Sequence, residues 1–103
     1  MIGGAVVSAE DVRSVWDLLV AERVRQEAFA RVTTATSCSS PEVAWDTCAR
    51  ALAEKLGAVA RAIDFGQQSG WPPHRLVRLR DDLVQLGATA VACVEKVHRD
   101  MLR

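Results

Sequence analysis

The chain lacks several features that would assign it a class at once. It has no surplus of either charge, because thirteen lysines and arginines balance thirteen aspartates and glutamates. A neutral chain has no whole-molecule field for gripping a phosphate backbone, so nucleic acid is not an expected partner. No apolar run approaches the roughly 20 residues needed to cross a bilayer. The opening MIGGAVVSAED has no basic stretch ahead of its short apolar one, and Ile2 stands where myristoylation would need glycine. No membrane association is expected, and the location expected is cytoplasmic. Cys38, Cys48 and Cys93 are odd in number, widely spaced and without a C-x-x-C pair. Reduced thiols are therefore expected, not a disulfide framework or a zinc site. Strand-like alternation and internal repeats are also missing.

What is present is helical periodicity along 103 residues, a length that suits one domain (1–103). Half of the residues are hydrophobic and a quarter charged, which is ordinary globular composition. The first helix is predicted over about 8–33. Ser8 and Asp11 give it a capping-box-like start, and Val12, Trp16, Val20, Val24, Ala28 and Val32 form an i+4 row expected to be buried. The second helix is predicted over 41–65, with Pro41 at its first position, Ser39 or Ser40 as cap and Gly66 as stop. Trp45, Cys48, Leu52, Leu56, Val59 and Ile63 make its stripe. The loop GQQSGWPPH is the strongest break in the chain. The third helix is predicted over 73–102, with Leu76, Leu79, Leu83, Leu86, Ala90, Val94, Val97 and Met101 at heptad-like spacing. Its small residues Gly87, Ala88, Ala90 and Ala92 would admit a neighbouring helix. The expected fold class is all-α, a bundle of three long helices. So much apolar surface predicts completion by dimerisation or tetramerisation.

Three blocks then stand in a telling order: AERVRQEAFAR (Ala21 to Arg31), W-x-x-x-x-x-x-L-A-E-K-L-G-A-V-A-R-A-I (Trp45 to Ile63) and LRDDLVQLGATAVACVEKV (Leu79 to Val97). Together they resemble the MazG-like all-α nucleoside triphosphate pyrophosphohydrolases, especially the short phage and actinobacterial type. The resemblance implies an E-x-x-E pair on the second helix and an E-x-x-D pair on the third, which together hold magnesium ions. Carboxylates at i and i+3 share a helix face and supply the hard oxygens that Mg2+ prefers. The ions then clamp the triphosphate and activate water. In this chain the first pair falls on Lys55 and Ala58, and the second on Asp82 and Gln85. If any metal ligand survives, it is Asp82. An ammonium beside the site would repel a divalent ion.

The resemblance therefore implies a fold whose magnesium-dependent hydrolysis is lost, acting as a binding or interaction oligomer with a nucleotide or protein partner and no cofactor. A second possibility is an active pyrophosphohydrolase, releasing monophosphate and pyrophosphate with Mg2+ and acids recruited from Glu22, Glu54, Asp81 and Asp82. A third is a structural helical oligomerisation module.

Other residues carry paired readings. Lys55 and Asp82 suggest an ion pair in place of the metal, or Lys55 reaches water. Arg75, Arg78 and Arg80 gather near a helix start, where an anionic ligand would suit them, or they form a solvated face balanced by Asp81 and Asp82. Trp71 either stacks on a base or packs down its own loop. Arg23 and Glu27 read as a surface i,i+4 pair. Trp16 and Trp45 are expected as core anchors, as is Cys48, with Cys93 similar. Cys38 is the thiol expected to react. Neither His74 nor His98 is expected to bind a metal.

Overall fold

The computed structural model describes residues 8–33, 38–40 and 42–102. Three helices account for almost all of them: α1 (Ala9–Thr33), α2 (Trp45–Ser69) and α3 (Pro73–Met101). No strand occurs among the described residues, and no helix among them is long and apolar enough to cross a membrane.

The helix ends follow local chemistry. Ser8 Oγ accepts from the Asp11 amide at 3.0 Å, and Glu10 and Asp11 face the positive end of the α1 dipole. For α2 both predicted bounds move. Pro41 lies outside the described residues, and the helix begins only at Trp45. A turn intervenes, with the Val43 amide donating to Ser40 O at 3.2 Å. The hydroxyls expected to cap α2 are used elsewhere, Ser39 Oγ on Glu27 and Ser40 Oγ on Glu42. At the far end α2 runs through Gly66 to Ser69. Gly66 is buried inside the helix, and an added Cβ would strike the Trp71 ring. Chain reversal falls to Gly70, whose φ of 92° suits glycine and whose amide reaches Gly66 O at 2.7 Å. Pro72 and Pro73 then launch α3.

α3 is the central element. Both α1 and α2 pack against it, and among the described residues they do not pack against each other. Gly87 admits α1, because a Cβ there would sit 2.6 Å from Leu19 Cδ2. The buried centre is small and half polar: Val43, Cys48, Val59, Ala88 and Ala92 share it with Arg23, Ser39, Asp82, Thr89 and Lys96. Gln26 of α1 donates toward Gln85 O and Thr89 Oγ1 of α3, each at 3.4 Å. Arg23 is not the surface residue expected. It is buried and bridges Glu27 at 2.6 Å and Glu95 of α3 at 2.5 Å.

The long apolar rows lie mostly outside this centre. Val12, Trp16, Val20 and Val24 of α1 are exposed, Trp16 by 58% and Val24 by 63%. On α3, Leu76, Leu83, Val94, Val97 and Met101 are exposed as well, and so is Ala90. Trp45 is also half-exposed, with the Lys96 ammonium 5.0 Å from its ring centre. Trp16 and Trp45 are thus not core anchors of the single chain. Periodicity marks the face that avoids water, not the molecule that covers it.

Candidate functional site

The α2–α3 junction brings the four mapped positions together with a different chemistry. Lys55 Nζ donates to Gln85 Oε1 at 3.0 Å. Asp82, whose side chain is only 11% exposed, pairs instead with Arg78 on its own helix at 3.4 Å. The ion pair expected between Lys55 and Asp82 is not formed. Lys55 reaches one turn further along α3, and Arg78 at i−4 supplies the cation for Asp82. Ala58 faces the same junction and offers no ligand atom. A lysine, an alanine and a glutamine beside one arginine-paired carboxylate do not fit the magnesium pair that the resemblance implies.

The acids that might be recruited are scattered. Glu22 is clasped by Arg25 through two hydrogen bonds, of 2.8 and 2.5 Å. Those bonds hold its carboxyl below the ordinary 4.5, against the opposing effect of burial and with help from the Lys55 ammonium. Glu54 points to solvent. Asp81 is exposed and paired with Arg80 at 3.1 Å, so Arg80 belongs to a solvated face. Among the described residues no three carboxylates or imidazoles converge on one ligand-sized space.

What the junction does contain is a groove of about 470 Å³ between the end of α2 and the start of α3. Arg61 and Phe65 line it from α2, and His74, Arg75, Arg78 and Asp82 from α3. Three arginines thus line the groove beside one carboxylate. Arg75 is held with its Cζ 4.3 Å above the Phe65 ring, and its Nη1 donates to Gly70 O at 3.2 Å. Its Nε is buried without a hydrogen-bond partner. The first turn of α3 contains no acid, so the positive end of the helix dipole adds to the same field. Such a groove suits an anion. Trp71 covers Gly66 and so packs on its own loop.

A second cluster had no warning in the sequence. The sulfurs of Cys38, Cys48 and Cys93 all lie within 4.8 Å of one another. They come from the α1–α2 loop, α2 and α3, so no short spacing could announce them. Cys48 is buried as expected, and its Sγ lies 3.8 Å from Cys38 O. Cys38, expected to be reactive, is half-buried beside the other two sulfurs. Burial, then the neighbouring Cys48 and Cys93, push its thiol up to about 12. Burial raises the Cys93 thiol too. A thiol held protonated is a poor nucleophile at neutral pH.

Comparison of the chain with protein-family models, curated proteins and solved structures gives no match.

Proposed function

We propose that the chain is a MazG-like helical protein that has lost magnesium-dependent pyrophosphohydrolysis. Its α2–α3 groove binds a phosphate-bearing ligand, in the first instance a nucleotide, and the working form is a homo-oligomer. One observation carries the reading: where the resemblance asks for carboxylates, Lys55 is hydrogen-bonded to Gln85, and the adjoining groove presents Arg61, Arg75 and Arg78 against Asp82 alone. Guanidiniums recognise phosphate oxygens directly and need no bridging cation. A single carboxylate already paired with Arg78 is too little to hold a magnesium ion that would activate water.

The oligomer rests on the exposed rows of α1 and α3. Between these helices runs an apolar cleft of about 500 Å³, bordered by Val15, Leu18, Leu76, Leu79, Leu83 and Val84. A helix from a second copy, itself carrying an unpaired apolar row, is the matching occupant. This feature also favours a second reading, that of an oligomerisation module without a small ligand.

Thermal denaturation with ATP, GTP, CTP and UTP, with and without magnesium, separates these readings. The proposal expects stabilisation by at least one triphosphate without magnesium, abolished in Arg75→Met, and no pyrophosphate release. Stabilisation only with magnesium, accompanied by pyrophosphate release, restores the enzymatic reading. No shift with any nucleotide leaves the oligomerisation module.

A further inference from the structure

We infer that Cys38, Cys48 and Cys93 form a binding site for a thiophilic divalent cation, zinc in the first instance. The sulfurs already lie within 4.8 Å of one another. Thiolates about 2.3 Å from a tetrahedral zinc ion are about 3.8 Å apart. Closing the cluster onto an ion therefore needs side-chain adjustment of about an ångström, not a new fold.

Ser39 and Ser40, which follow Cys38, are fastened to α1 and α3. Ser39 Oγ bonds to Glu27 of α1, Arg99 Nη1 donates to Ser39 O, and Lys96 Nζ lies 3.4 Å from Ser40 O. Cys48 and Cys93 stand on helices that pack directly together. Three thiolates around a divalent ion leave one net negative charge. The ammonium of Lys96, a residue only 2% exposed, acts on Cys93 and offsets that charge.

The chemistry balances without a redox partner. Each thiol gives one proton to solvent, three sulfur–metal bonds form, and the hydrated ion sheds all but one of its waters to become four-coordinate. No electrons move. The competing use, a disulfide between two of the three, needs an oxidant that the chain does not supply. Among the described residues the cluster supplies three ligands. The fourth position falls to water or an incoming group, which is the coordination of an open site and not a sealed structural one.

The test uses the full chain, reduced and freed of metal, titrated with Co2+ as a spectroscopic stand-in for zinc. We expect sulfur-to-cobalt charge-transfer absorption saturating at one ion per chain and displaced by Zn2+. Cys38→Ser and Cys93→Ser, at half-buried positions, should each weaken Zn2+ binding by more than the roughly 10–100-fold typical of losing an outer-shell partner. Both should keep the helical circular dichroism, and His98→Ala should bind as the parent does. Absence of the charge-transfer absorption overturns the proposal. So does saturation that neither cysteine substitution changes. A chain isolated two hydrogens lighter that takes up no cobalt after reduction overturns it in favour of a disulfide.

Discussion

If Lys55 and Ala58 occupy positions that once held magnesium ligands, Lys55→Glu with Ala58→Glu should rebuild a cation site. The perturbation removes the hydrogen bond from Lys55 to Gln85, now 3.0 Å long, and places two carboxylates beside Asp82. Two unit charges about 4 Å apart interact by about 4 kcal/mol at an effective dielectric of about 20. A divalent ion doubles that, and solvent at the open groove reduces it to a few kcal/mol. Exchanging an ammonium for two carboxylates therefore moves cation affinity by about two to three orders of magnitude. Without an ion the three crowded carboxylates repel, so the metal-free variant should melt several degrees below the parent. An ion at ten times its dissociation constant returns about 1.4 kcal/mol, or about 6–11 °C for a domain of this size. Differential scanning fluorimetry with Mg2+ and Mn2+ reads both effects. The parent should be indifferent to either ion. A double variant that is equally indifferent would mean that these residues do not face a former metal position, and the family alignment would fail with it.

Three further outcomes follow from the packing. Gly66→Ala forces a methyl group against the Trp71 ring, and overpacking of this kind costs about 1–3 kcal/mol; an unchanged urea midpoint would contradict that contact. Glu22 has a carboxyl held below the ordinary 4.5 by Arg25, so its contribution to stability is present above that value and is lost as pH falls through the lowered one. Glu22→Gln should remove this part of the acid sensitivity, and urea midpoints that respond to acid identically in both proteins would refute the assignment. Trp16→Asp and Val94→Asp place charges on rows that are 58% and 61% exposed in the single chain. If a second copy buries those rows, each variant loses about 1.5–3 kcal/mol of apolar burial and adds a desolvation cost. Light scattering should show a parent heavier than 11.2 kDa and monomeric variants of unchanged helicity. A parent that is already monomeric would dismiss the oligomer.

The helices were legible because each kind of evidence agreed locally: stripes at steps of three and four, Ser8 at one start, and Pro72 and Pro73 at another. The bounds of α2 were not, because two competing signals were resolved by tertiary contact. Ser39 and Ser40 were drawn to Glu27 and Glu42, and Trp71 lay over Gly66 and left Gly70 to reverse the chain. Burial was misjudged for a different reason. Val12, Trp16 and Val24 form a sound apolar row, but α1 meets α3 through Leu19, Arg23 and Gln26. The positions with an arginine-rich groove beside them could be named from the sequence, since Arg75, Arg78 and Asp82 follow helical spacing. The cysteine trio could not, because it exists only once three separate elements have docked.

Because, among the described residues, α1 and α2 meet only through α3, that 29-residue helix serves as a shared axle. Asp82 in the groove and Cys93 in the sulfur cluster are spaced about 16 Å along it, at 1.5 Å per residue. α2 spans the same two places, with Cys48 in the cluster and Phe65 in the groove. A slide or rotation of either helix provoked at one end would be delivered to the other.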